Sequence, residues 1–373
     1  MRIGAIDFWR GAILLVIMID HVPGNGLEAF TPRNFGLSDS AEAFVFLCGL
    51  SVGSAYLKRS LGAAWRACAA RAWSLYRVHI GLTLAAIAVF GAAFCVSGAP
   101  GLLEAHGRGV VFDDPWRALP GILLTSHQLG YFNILPLYVV LMLMAAPIVA
   151  LARVSAWRAL AASLTLYGAA DLTGFNLPNW PQPGGWFFNP FAWQLMFTLG
   201  VCAAVHGRNK PLPRGPLALA GALAVVLAGA LVVTDAGGFA PGLRDGFSGL
   251  VDVQKQRLGF GRVLYFLALT YVIAQSRGLA RLAVSRAGEE VRRLGRHSLE
   301  VFAFGSLLAA LGQALLALGA PGGSPEIVES LAIVYTLASL IGLFGLARFL
   351  EWDGKYSGAS KRAPARVLGA SGV

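Results

Sequence analysis

Ile6-Asp7-Phe8-Trp9-Arg10-Gly11, followed by an apolar run that closes on Asp20-His21, decides how the rest of the chain is read. The run is hydrophobic enough to enter a bilayer, yet it carries a guanidinium near one end and an imidazole at the other. Eleven residues at 100° each place Arg10 and His21 about 20° apart around a helix, with a rise of roughly 16 Å between them. A cation and an imidazole thus share one face, separated by much of the membrane's depth. Ionisable groups there are costly unless they face a packed interior or a wet cavity. The stripe therefore reads as the floor of an active site.

Composition points the same way. The chain of 373 residues is 56% hydrophobic and 13% charged, with a mean hydropathy of +0.64. A soluble domain needs far more polar surface, so the expected class is all-α and polytopic. The net charge of +11 is spread along the chain and forms no basic domain, so nucleic acid is not an expected partner. Cys48, Cys68, Cys95 and Cys202 make no C-x-x-C pair, which argues against both zinc and a disulfide framework; no metal is expected. The N-terminus lacks a cleavable signal pattern, so the first apolar run is read as a retained span.

A window of about 20 apolar residues gives ten spans, roughly 6–22, 39–57, 76–97, 131–151, 157–173, 190–206, 216–234, 257–276, 298–319 and 326–350. With the N-terminus in the cytosol, 22 of the 30 Lys and Arg fall on the cytosolic side and six outside; Arg10 and Arg262 lie within spans. That asymmetry obeys the positive-inside rule and fails if one span is dropped, giving an N-in, C-in topology. Segments 60–75 and 277–297 are basic and amphipathic and are expected along the cytosolic interface, where their arginines meet anionic lipid or the phosphates of a cytosolic donor. Residues 1–350 are expected to form one transmembrane domain, and 351–373 a basic, disordered cytosolic tail. The 174–190 segment holds four prolines, three glycines and several aromatics, which excludes a regular helix. It suits either an interfacial aromatic belt or a platform for sugar rings.

Polar groups collect near both ends of the spans, Asp7 and Arg10 at the cytosolic end and the others on the outer side. Asp7 and Arg10 are spaced to pair on one helix face, and Arg10 there either anchors the structure or grips a phosphate bidentately. His21 is either an interfacial cap or a general base with a suitable unperturbed pKa. Asp20 lies about 100° away on the helix, so it would orient His21 only from another element, or simply end the span in water. Glu42 shares a face with Gly49 and Gly53, whose small-xxx-small spacing permits close helix contact and turns Glu42 inward. It would complement the helix dipole, orient His21 or grip an acceptor hydroxyl. His127, Asn133 and Gln194 lie on the same side; Asn and Pro near a helix start are common, so each alone is a weak signal.

The residues that stand out resemble one family. Ile6-Asp7-Phe8-Trp9-Arg10-Gly11 with Asp20-His21, Asn34-Phe35-Gly36 with Ser38-Asp39, Ala41-Glu42-Ala43-Phe44-Val45-Phe46-Leu47, Phe132-Asn133-Ile134-Leu135-Pro136-Leu137-Tyr138, Asn189-Pro190-Phe191-Ala192-Trp193-Gln194 and Gly295-Arg296-His297-Ser298-Leu299 resemble the OpgC family. Its members are inner-membrane enzymes of bacteria that attach succinyl groups to osmoregulated periplasmic glucans. Arg10 and His21 with ten residues between them are also similar to the signature of the wider membrane acyltransferase-3-like superfamily. Cys48 departs from the pattern, standing where serine is expected.

The resemblance implies a membrane O-acyltransferase that takes succinyl- or acetyl-coenzyme A from the cytosol as co-substrate, with no permanently bound cofactor. Arg10, with Asp7, would bind the donor; His21 would be the base, supported by Glu42 or Asp20. Asp39, Arg33, Asn34, His127, Asn133, Trp193 and Gln194 would meet a periplasmic glucan or another envelope glycan. Asn133 and Gln194 are also the candidates for the oxyanion donor. A homodimer is left open. The competing class is a transporter of the same topology, although no internal repeat of the kind transporters show is visible.

Overall fold

The first apolar run folds as α1 (Gly4–Asp20), and a capping box starts the next helix, α2 (Ser40–Tyr56). Asp39 Oδ1 accepts from the Ala41 amide at 2.8 Å, and Glu42 Oε2 accepts from the Asp39 amide at 2.9 Å. The two acidic residues that open the second span are thereby explained locally: they satisfy amides that no helix turn can reach. The structure, a computed structural model, describes residues 4–209, 215–234, 252–319 and 324–360.

The third helix, α3 (Leu61–Ser97), runs unbroken for 37 residues, about 55 Å at 1.5 Å per residue. The basic segment 60–75 is therefore the first half of this helix and not a separate interfacial one. No glycine or proline interrupts Ala63 to Ile80, and alanine-rich sequence propagates a helix readily. Trp65 and Trp73 on this half are exposed, with Trp73 stacked on Tyr76.

The chain continues through α4 (Pro115–Leu123), α5 (Ile134–Val154), α6 (Ala156–Thr173), α7 (Pro190–Asn209), α8 (Pro216–Thr234), α9 (Phe260–Gln275), α10 (Arg277–Val284), α11 (Glu289–Arg296), α12 (Ser298–Gly319) and α13 (Pro325–Ser360). All the described regular structure is helical, and each expected apolar window overlaps a helix. Among the described residues, five helices are long and apolar enough to cross a bilayer by length and composition: Leu61–Ser97, Gly130–Val154, Pro216–Thr234, Ser298–Gly319 and Pro325–Asp353. The pair α9 and α10, bent by 75°, makes a sixth if it counts as one span. The protein is a helical membrane protein.

The 277–297 segment is likewise two helices, α10 and α11, and α11 packs into the bundle. It reaches α1 so closely that a Cβ at Gly295 would overlap the Asp7 carbonyl oxygen, and one at Gly11 the Val291 carbonyl oxygen. The glycines of α2 do the same for α7: a Cβ at Gly49 would overlap the Phe197 carbonyl oxygen. These two close pairings hold the N-terminal helices in the middle of the molecule, with α3 packed on both α5 and α12.

The 174–190 segment makes a small hairpin, in which the Trp186 amide donates to Leu177 O at 2.8 Å and the Asn179 amide to Gly184 O at 2.9 Å. The expected tail begins as the last turns of α13, because that helix continues to Ser360. Residues 361–373 lie outside the described residues, as do Arg2, Lys210, Arg214 and Arg244 used in the charge count.

Candidate active site

Two chambers lie back to back inside the bundle. One, of 440 Å³, is lined by His21 and by residues of α12, the 174–190 hairpin and the segment before α5. The other, of 390 Å³, is lined by Arg10, Ser51, Arg71, Tyr138 and Arg296. Phe44 and Phe302 belong to both walls. Their rings stack, centroids 6.0 Å apart and planes at 24°, so a two-ring partition separates the chambers. The helical stripe from Arg10 to His21 thus runs from one chamber to the other along α1.

His21 is held by the helix it terminates. Its Nδ1 lies 2.6 Å from Ile17 O. A carbonyl can only accept, so Nδ1 carries the proton and Nε2 keeps the lone pair of a base. Tyr131 packs edge-on against the imidazole at 4.3 Å between centroids, and His106 packs on the same tyrosine at 5.2 Å. Burial, with the Arg108 cation beside it, lowers the pKa of His106 and keeps that imidazole neutral. Arg108 lies over the Phe90 ring and donates to Gln313 Oε1 at 2.9 Å. Gln313 in turn donates to His21 O at 3.4 Å, closing the wall behind the histidine.

Asp20, Arg33, Asp39 and Asn133 also line the His21 chamber. Asp20 does not orient His21; it accepts from Thr31 Oγ1 at 2.6 Å. Arg33 pairs loosely with Glu28 at 3.5 Å, and Asn34 donates to Glu28 O, away from the chamber wall. Asp39 pairs with Lys255 at 2.6 Å and with Arg262 at 3.2 Å.

Glu42 is fully buried and belongs to Arg262, whose Nε reaches Oε1 at 2.6 Å; neither chamber touches it. Three further expected residues sit behind the wall as well. His127 is buried against Gly121, whose carbonyl accepts its amide at 2.9 Å. Trp193 donates to Lys255 O at 3.1 Å, and Gln194 is held by Ser163 at 2.7 Å. Trp193 and Gln194 hold the hairpin, α6 and the 252–259 loop in place, a supporting position that no local motif reveals.

Arg10 enters the second chamber tethered on three sides. It reaches Ser51 Oγ at 2.5 Å, Asp7 Oδ1 at 3.3 Å and Gly295 O at 3.3 Å. Asp7 itself is buried under α11. Arg71 adds positive charge to the same walls and has no carboxylate partner among the described residues, whereas Arg296 is paired with Glu289 and Glu351, and Glu300 also lines the chamber. A guanidinium without a carboxylate partner is a group that can hold an anion. No group of three His, Cys, Asp or Glu side chains is placed to hold a metal among the described residues. Arg71 belongs to the basic segment expected near donor phosphates and Asn179 and Gln182 to the 174–190 segment, whereas His106, Lys255, Ser51 and Tyr131 carry no local signal of a role. They come to the chambers through tertiary pairing.

One chamber with arginines in its wall and one holding an imidazole lie back to back within a helical membrane bundle. The comparison with known families is consistent with that class. The family model described as OpgC protein matches residues 2–355, and the chain belongs to that family. Membership implies a membrane acyltransferase type of activity. No curated protein and no solved structure matches the chain.

Proposed function

We propose that the protein is a membrane O-acyltransferase that moves an acyl group, succinyl in the first instance, from a cytosolic coenzyme A thioester to a hydroxyl of a periplasmic glucan. The observation that carries this reading is the pair of chambers, one basic and one holding His21, meeting at a single partition. The donor's phosphates bind at Arg10 and Arg71, and its arm passes the partition so that the thioester lies beside His21. Nε2 takes the proton of a sugar hydroxyl while that oxygen attacks the thioester carbonyl. The carbon–sulfur bond breaks, and the thiolate leaves with the proton held by the imidazolium. Fixing both reactants in narrow chambers supplies much of the acceleration. Asn133, in the same chamber as His21, is the candidate oxyanion donor. Ten membrane crossings with both termini in the cytosol, in the bacterial inner membrane, complete the proposal.

The test is direct. Purified protein incubated with succinyl- or acetyl-coenzyme A and a glucan should yield acylated sugar by mass spectrometry. His21→Ala should abolish the product while its melting temperature stays within a few degrees of wild type. Full turnover by that variant removes the base assignment; glycan movement without acyl exchange would favour a transporter.

A further inference from the structure

Tyr138 stands where the donor route narrows. Its ring packs on Phe44 with centroids 5.4 Å apart, and it lines the Arg10 chamber beside the partition. The side chain is 5% exposed, and its hydroxyl has no hydrogen-bond partner among the described residues. A buried O–H without an acceptor is disfavoured and calls for an explanation. Phenylalanine would pack on Phe44 equally well, so stacking does not account for the oxygen.

We propose that Tyr138 is a donor-binding residue whose hydroxyl donates a hydrogen bond to an amide carbonyl of a pantetheine arm. The inference rests on the acyl-coenzyme A reading above. Arg10 lies at the phosphate end of the route and His21 at the thioester end. Tyr138 lies between them, against the partition. The part of the donor that lies between phosphates and sulfur is the arm, and its amide carbonyls are its strongest acceptors. Around that point the wall is largely apolar, with Phe44, Leu135, Met142 and Phe302, and with Cys48 and Arg10 within electrostatic reach. One placed donor in apolar surroundings selects for register: the arm slides until an amide meets the phenol, which sets how far the thioester protrudes past the rings.

The test uses the full chain in detergent and two probes, coenzyme A and pantetheine, which lacks the phosphates. Tyr138→Phe keeps the ring and removes only the hydroxyl. It should weaken both probes by about tenfold in calorimetry. Arg10→Ala should weaken coenzyme A and leave pantetheine unchanged. Without ligand, Tyr138→Phe should melt no lower than wild type, because the hydroxyl has no protein partner to lose. Equal affinity of Tyr138→Phe and wild type for both probes overturns the assignment while leaving the donor reading intact. A lower melting temperature of the unliganded variant would make the hydroxyl structural. Failure of wild type to bind either probe removes the donor reading itself.

Discussion

Arg262 shows how a residue remote from both chambers governs the site. It neutralises Glu42, which is fully buried, and touches Asp39, whose other partner is Lys255 at the wall of the His21 chamber. A buried carboxylate deprived of its partner is destabilising by about 3–5 kcal/mol. Arg262→Met should therefore lower the melting temperature steeply, while adding Glu42→Gln should recover most of the loss, since glutamine still caps the helix. Equal stability of Arg262→Met and wild type would show that the pair contributes nothing. Arg10 and His21 were legible in the sequence because their relation is local, eleven positions on one helix. The partner of Glu42 was not: 220 residues separate it from Arg262, and nothing in the pattern around either residue names the other. The same holds for Phe44 and Phe302, far apart in the chain, which meet only through tertiary packing.

Elements were legible where hydrophobic runs of helix length are self-contained, and misread where charge interrupts a helix that sterics allow. Splitting α3 at its basic half took arginines as a boundary, yet they decorate a helix without breaking it. In α11 the sequence shows alternating charge, and the structure turns that pattern into a joint. Glu289 and Glu290 bind Arg296 and Arg348, at 2.7 and 3.0 Å, and Arg293 reaches Glu351 at 2.8 Å across to α13. The hydrogen bond from Arg296 lowers the pKa of Glu289, and that from Arg348 lowers the pKa of Glu290. A depressed carboxyl stabilises the folded state above its ordinary pKa, 4.5 for glutamate, and loses that contribution as pH falls through the folded value. Melting temperature should thus hold from pH 7 to about 5 and drop below 4.5. Glu289→Gln with Glu290→Gln should flatten that acid limb; an unchanged limb would show that the joint carries no pH dependence. The joint bears on the site because α11 holds α1 through Gly295, and Arg296 lines the Arg10 chamber.

At the scale of the whole molecule, the reading requires the two chambers to open on opposite faces of the membrane. Basic residues concentrate near Arg10, on the first half of α3 and on α10 and α11, which by the positive-inside rule is the cytosolic end. A fluorescent protein fused after Val373 should therefore fluoresce, and alkaline phosphatase fused there should be inactive. Phosphatase inserted in the 174–190 hairpin should be active. The reverse pattern would place the donor arginines outside the cell and remove the proposed direction of transfer.

The stacked rings of Phe44 and Phe302 carry a consequence beyond chemistry. A membrane that stores energy as an ion gradient tolerates a pore only if nothing wet runs its full length. Two flat hydrocarbon faces in contact interrupt any chain of water along which protons could hop. On the proposed route a donor arm would have to wedge the rings apart, so the same pair of side chains would serve both electrical insulation and substrate passage.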